Sequence, residues 1–317
     1  MLEIETVDYH TAGEPFRIVT NGVEPPRGDT VLAQRRDAAA RLDHVRRLLV
    51  NEPRGHADMY GCFVTAPEDE GADLGVVFFH NAGYSTACGH GTIALVTWAL
   101  ESSVLPVRGE ETRVVVDVPS GRLETVAHVL DGDVRSVRFR NVPAFVWGKE
   151  VLPGVDVAFG GAFYGSVEER VSPEELPRLI ERGRELKAAL EDEHEIVHPL
   201  EPELRDVYGV IFWQREGTNV QRNVTVFADG EVDRSPCGSG TSARLALLDG
   251  SRELGRGEEL RHLSIVGGEF RARVVGDAQV AGQPAVITEV EGSAHRTGEH
   301  RFVLEEGDEL GTGFLLR

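Results

Sequence analysis

Cys88-Gly89-His90-Gly91-Thr92-Ile93-Ala94 and Cys237-Gly238-Ser239-Gly240-Thr241-Ser242-Ala243 are two copies of one pattern, one in each half of a 317-residue chain. Each copy opens a helix-like stretch, and an apolar run lies a short way upstream. A cysteine at a helix start feels the positive end of the macrodipole, which favours thiolate over thiol. Two such cysteines on matching halves could face each other across a cleft. An opposed thiol and thiolate are what a two-base inversion of a stereocentre needs, since one removes a proton and the other returns one.

The flanking sequence sets both motifs in similar surroundings. Residues 4–19 alternate loosely and read as strands around a turn at Ala12-Gly13. Residues 38–50 carry Leu42, Val45, Leu48 and Leu49 at helical spacing, closed by Pro53. Short apolar runs at 62–65 and 74–79 read as buried strands leading to the first cysteine, with its helix over 90–101. Strands are expected at 113–118, 123–130 and 134–142. Residues 153–166 contain Gly160-Gly161-Ala162-Phe163-Tyr164-Gly165, which suggests a turn with close backbone packing. Ser172-Pro173-Glu174-Glu175 offers a cap, a proline at the first helical position and a glutamate at the third. That helix should reach about residue 191. Strands at 207–213 and 223–227 precede the second motif, with its helix over 239–248, and a last strand is expected near 314–316.

Many strands and few helices argue for an α+β fold of two sheet-rich lobes, each wrapped around a central helix, with a boundary near 142–153. The first lobe is set at residues 1–145 plus roughly 293–317 and carries Cys88. The second is set at 146–292 and carries Cys237. The active site is then expected in the interlobe cleft.

Composition narrows the function. Apolar residues make up 41% and charged residues 27%, and the formal net charge is −20 with no long basic cluster. Nucleic acid and anionic membranes are poor partners for such a surface. Met1-Leu2-Glu3-Ile4-Glu5 lacks the basic and apolar regions of a signal peptide, and the apolar stretch 93–100 is far too short to span a bilayer. Three widely spaced cysteines are not a disulfide framework, so a reducing, cytoplasmic setting is expected. Of the two lysines, Lys187 sits in a polar helix and Lys149 at a boundary. Neither looks like a sheltered Schiff-base residue, so no cofactor of the pyridoxal-phosphate type is expected.

Competing readings of the motif are weaker. Both copies satisfy Gly-x-Gly-x-x-Ala, a dinucleotide fingerprint, but neither sits in a clean strand–helix–strand unit ending in an acidic residue. Free amides at a helix start with glycine beside them can instead hold a carboxylate. Burial as inert structural cysteine is the usual fate of a free thiol, yet two cysteines before the same Gly-x-Gly-Thr argue against it. A metal is disfavoured because Ser239 replaces His90 in the second copy. Cys62 has no such context and reads as core filling. His90 could poise its neighbouring thiol, and Asp233 could bring a carboxylate near the cleft mouth, where it could bind a substrate ammonium. His10-Thr11-Ala12-Gly13-Glu14-Pro15 and Arg54-Gly55-His56-Ala57-Asp58-Met59-Tyr60-Gly61 are dense in polar groups but physically read as ordinary turns.

With Asp233-Arg234-Ser235-Pro236-Cys237-Gly238-Ser239-Gly240-Thr241, Cys88-Gly89-His90-Gly91, the two turns above and Gly160-Gly161-Ala162-Phe163-Tyr164, the chain resembles the proline racemase family over essentially its whole length. That family includes hydroxyproline 2-epimerases and trans-3-hydroxy-L-proline dehydratases. The resemblance implies a diaminopimelate-epimerase-like fold of two lobes and no cofactor. It implies that Cys88 and Cys237 are the acid/base pair, and that the amides of Gly89, His90, Gly238 and Ser239 hold the substrate carboxylate. It implies further that Asp233 and His90 are polar partners of the imino nitrogen and the thiols. The first lobe looks more like the dehydratase branch, which typically carries threonine where this chain has Cys237. A threonine hydroxyl is too weak an acid to reprotonate the far face, so Cys237 argues for racemisation or epimerisation. Ala87 stands where the family often has methionine. The expected partner is a small imino acid, with no nucleic acid or membrane; a homodimer is compatible with the sequence, and a non-catalytic nucleotide- or amino-acid-binding protein is the remaining alternative.

Overall fold

The structure, a computed structural model, describes residues 1–316. The chain divides into two compact units: Met1–Val137 with the stretch from Ser293 onward, and Arg138–Gly292.

In the first unit β1 (Leu2–Thr11) and β2 (Glu14–Asn21) form an antiparallel hairpin. Its turn residues Ala12 and Gly13 have φ of 51° and 97°. Both are left-handed, the conformation whose twist matches a tight hairpin, and Gly13 takes it without a Cβ penalty. The chain continues through α1 (Val31–Arg41), α2 (Asp43–Val50), β3 (Tyr60–Thr65), β4 (Leu74–His80), β5 (Gly83–Tyr84) and α3 (Gly89–Glu101). It then forms β6 (Glu111–Val118), β7 (Gly121–Leu130) and β8 (Asp133–Arg140).

The second unit runs through β9 (Phe145–Leu152), β10 (Val155–Phe159), β11 (Phe163–Glu168), α4 (Leu176–Glu193), β12 (Val207–Gly217), β13 (Val220–Phe227) and β14 (Glu231–Asp233). It continues with α5 (Gly238–Ser251), β15 (Leu260–Ser264), β16 (Glu269–Val280) and β17 (Gln283–Gly292). The chain then returns to the first unit with β18 (Ala294–Leu304), which pairs antiparallel with β1.

The strand order in the first unit is β18-β1-β2-β3-β4-β6-β7, with β2–β3 and β4–β6 parallel. In the second it is β9-β10-β11-β12-β13-β15-β16-β17, with β11–β12 and β13–β15 parallel. Aligned on their parallel pairs, the two orders repeat the same pattern of parallel and antiparallel neighbours. Each also adds one short antiparallel strand, β5 on β4 and β14 on β13. Each short strand delivers the chain to a cysteine. The duplicated motif therefore occupies one topological position twice.

Both cysteine helices are core elements. Gly89–Leu100 of α3 and Gly238–Leu248 of α5 are buried residue by residue. A helix apolar on every side has no solvent face to present and must be enclosed. The strands β1, β2, β3, β7 and β18 pack around α3, and β9, β10, β11, β16 and β17 around α5.

Four sequence expectations are corrected. The helix over 38–50 is two helices. Leu42, with φ −113° and ψ 8°, closes α1 while its N–H still bonds Ala38 O, and α2 restarts at Asp43. α1 buries only Val31, Gln34 and Ala38, too little for a clear apolar stripe. The glycine-rich stretch 153–166 is a β10–β11 hairpin rather than only a turn, because its strands are too short to stand out beside four glycines. The helix after Ser172 begins as a 3-10 turn, Pro173–Glu175, and Ser172 makes no capping bond. Residues 314–316 form no strand; Phe314 makes an isolated bridge with Glu52. The last strand is β18, whose largely exposed side chains hide it from an apolar search.

Candidate active site

Cys88 is the N-cap of α3 in extended backbone, φ −154° and ψ 96°. Its sulfur accepts the Gly91 amide at 3.3 Å, a capping role usually filled by a side-chain oxygen. Both His90 ring nitrogens lie close to the same sulfur, Nε2 at 3.5 Å and Nδ1 at 3.6 Å. The imidazole stands edge-on to two rings, Phe16 at 5.6 Å and Tyr60 at 4.9 Å between centroids. Thr11 Oγ1 donates to His90 O at 2.9 Å, which ties the first hairpin turn to the start of α3. Gly91 has no alternative here. A Cβ on it would lie 2.4 Å from Phe16 and 2.7 Å from Cys88 Sγ.

Cys237 heads α5 differently. Its backbone is left-handed, φ 61° and ψ 105°. Such a conformation costs a non-glycine residue on the order of 1–3 kcal/mol. The sulfur lies 3.6 Å from the Tyr164 hydroxyl and 3.8 Å from Ser239 Oγ, and those two hydroxyls are 2.7 Å apart. Upstream, the Cys237 amide donates to Ser235 Oγ at 3.1 Å, and the Ser235 amide donates to Asp233 Oδ1 at 2.8 Å. A Cβ on Gly240 would come within 3.0 Å of Cys237 Sγ, so the second glycine of the motif serves the same clearance in both copies.

The electrostatics correct one expectation. Burial pushes the Cys237 thiol up to about 12, and the Asp233 carboxylate adds to the push against the pull of the Tyr164 hydroxyl. Burial likewise raises Asp233 to about 6, opposed by its bonds from Ser235. The helix field at α5 is thus outweighed by desolvation, and Cys237 holds its proton at neutral pH. Asp233 is only 5% exposed, so it is a buried group beside Cys237 and not a rim carboxylate. Cys62 is fully buried on β3, and burial lifts its thiol well above the usual range.

The structure brings His90 to Cys88, and Ser239 and Asp233 to Cys237, as the sequence pairing suggests. Gly89 and His90 open α3 and Gly238 and Ser239 open α5, where amides lack a helical acceptor. Sequence reasoning from physics alone passed over Thr11, Phe16, Tyr60 and Tyr164. Their common signal is position: each lies on a strand of a hairpin that packs against a cysteine helix. Among the described residues no group of three or more His, Cys, Asp or Glu is placed to hold a metal, and no helix is long and apolar enough to cross a membrane.

Comparison with known proteins finds matches over nearly the whole chain. The proline racemase family model matches residues 6–315. A trans-3-hydroxy-L-proline dehydratase of Bacillus cereus is 43% identical over 98% of this chain and 97% of that protein. A 3-hydroxyproline 2-epimerase of Burkholderia multivorans is 44% identical over 99% and 98%. Among solved structures, a hydroxyproline epimerase from Agrobacterium vitis with bound trans-4-hydroxy-L-proline superposes with a TM-score of 0.92 at 30% identity, over 99% of this chain and 96% of that one.

Proposed function

The chain belongs to the proline racemase family, and from that premise we propose that it is a racemase or 2-epimerase of proline or a hydroxyproline, working without a cofactor through two thiols. The observation that carries the reading is a cysteine at the head of both α3 and α5, each beside a different polar partner. The amides of Gly89, His90, Gly238 and Ser239 hold the substrate carboxylate, as helix starts do for anions. Cys88 acts as thiolate and takes the α-proton, forming S–H as Cα–H breaks. Cys237, which keeps its proton at neutral pH, delivers it to the opposite face and becomes the thiolate. The reverse reaction exchanges the roles. His90 and Asp233 bear on the thiols and the imino nitrogen.

Turnover in D2O tests this: deuterium should enter Cα of the inverted product. Inversion without solvent exchange would rule out the two-thiol route.

A second reading is trans-3-hydroxy-L-proline dehydration, favoured by the name of the Bacillus cereus relative. It shares the first proton removal and then expels the 3-hydroxyl as water. The presence of Cys237, a proton donor for the far face, supports inversion over elimination. Parallel assays of proline, 4-hydroxyproline and 3-hydroxyproline, by optical rotation and by detection of the dehydrated product, separate the two.

A further inference from the structure

The peptide unit between Pro236 and Cys237 is gripped on both sides. Its carbonyl accepts from Asn223 Nδ2 at 2.7 Å and from Thr241 Oγ1 at 3.1 Å, while its N–H donates to Ser235 Oγ at 3.1 Å. Asn223, on β13, and Thr241, on α5, are both 0% exposed. In the first copy the matching carbonyl, Ala87 O, accepts from Ser85 Oγ, and Cys88 is extended. The copy held by Asn223 and Thr241 is the one whose cysteine is left-handed.

We propose that Asn223 and Thr241 are positioning residues for Cys237: by fixing the Pro236 carbonyl they hold the cysteine in its left-handed backbone and its sulfur against the Tyr164 and Ser239 hydroxyls. The proposal rests on the reading of Cys237 as the second acid/base. The orientation of the peptide plane sets φ at Cys237. With that plane locked, Sγ faces the Tyr164 and Ser239 hydroxyls as well as the Gly240 amide, beside Asp233.

The clamp is itself braced. Thr241 Oγ1 lies 2.8 Å from His262 Nδ1, and His262 is fully buried with its Nε2 unpartnered. Burial pushes this histidine down to about 3, so the ring is neutral. Thr241 spends its hydroxyl proton on Pro236 O, so His262 supplies its proton through Nδ1. The orphaned Nε2 is then an acceptor, the less costly tautomer given that the threonine oxygen needs a donor.

Released from the clamp, Cys237 should relax to the extended conformation of Cys88 and leave the Tyr164 and Ser239 hydroxyls. Both of those contacts favour the thiolate. The test is alkylation by iodoacetamide at neutral pH, with Cys88 and Cys237 followed separately by peptide mass spectrometry, in Asn223→Ala, Thr241→Val and Thr241→Ser. Folding is checked by circular dichroism, and Thr241→Val, nearly isosteric, serves if Asn223→Ala does not fold. The expected result is labelling of Cys237 slower by about tenfold, as for a thiol pKa raised by about one unit, with Cys88 unchanged. Imino acid turnover should fall by up to about 100-fold with KM little altered, and Thr241→Ser should restore both readouts. A folded Thr241→Val protein with unchanged Cys237 labelling overturns the clamp. A wild type inert toward imino acids would instead sink the functional reading, and the labelling result would still decide the clamp.

Discussion

The Tyr164 hydroxyl lies 2.7 Å from the Ser239 hydroxyl, joining β11 to the first turn of α5. The same phenol oxygen is 3.6 Å from Cys237 Sγ. On β2, the topological counterpart of β11, Phe16 packs beside Gly91 and His90 and has no hydroxyl to offer. Tyr164→Phe would make the second copy resemble the first. Turnover is predicted to fall about tenfold, the effect of roughly 1.4 kcal/mol on the barrier. The alkaline limb of the pH–rate profile should move upward, because a bond that favours the thiolate is gone. Steady-state rates across pH check this, and an unchanged profile would show the contact to be idle.

Asp233 links stability to pH. Its folded value, about 6, lies above the ordinary aspartate value of 3.8, so the folded state favours the protonated carboxyl. That contribution is fully present below about pH 4 and is lost as pH rises to about 6. Asp233→Asn keeps an acceptor for the Ser235 amide and removes the titration. The variant should match wild type near pH 4 and exceed it at pH 7, by an amount on the order of 1–3 kcal/mol. Urea unfolding at the two pH values measures the difference. A gap that does not change with pH would contradict the assignment.

The three cysteines should separate cleanly. Cys88→Ser and Cys237→Ser are each expected to abolish inversion, although either could still exchange the α-proton of one enantiomer through the remaining thiol. Cys62→Ser should leave turnover nearly intact and cost about 1–3 kcal/mol, because it places an unpaired hydroxyl in a fully buried site. An essential Cys62 with a dispensable Cys88 or Cys237 would end the two-thiol reading.

Gly160 gives a steric test. A Cβ there would lie 2.2 Å from Ser239 O and 2.6 Å from Ala243 N, both backbone atoms that cannot swing aside. Gly160→Ala should therefore force the β10–β11 turn and α5 apart, at a cost of about 1–3 kcal/mol. Because Ser239 would be displaced, activity should fall with stability. Thermal unfolding together with turnover would show it, and a silent substitution would mean that the close approach does not hold.

The cysteine helices were legible because a cysteine, two glycines and a threonine at the head of a helix-like stretch are local signals repeated twice. The strands feeding them were legible where an apolar run ended at polar residues, as β4 does at His80-Asn81. α1 was not, since Gln34, Arg35, Arg36 and Asp37 interrupt any stripe. β18 was hidden for the opposite reason: its place is fixed by backbone pairing with β1, and its side chains are mostly exposed. Asn223 carried no signal either. It reads as one polar residue in a strand until folding sets its amide against Pro236 O. The high thiol value of Cys237 was likewise beyond reach, because the motif announces the helix field but not the degree of burial that outweighs it.

The pairing of Leu2 with Leu304 at one end of the β1–β18 ladder bears on how the chain is made. β1 leaves the ribosome long before β18 and can pair with β2 at once. Its other edge must wait for β18. At roughly 5–20 residues per second that wait is on the order of tens of seconds. In the interval residues 138–292 emerge, and β9 to β17 find strand partners among themselves. The inserted unit can thus finish its sheet while the unit that began first still shows an open edge, the feature that invites association between nascent chains. A chain cut short before Ala294 would keep that edge permanently.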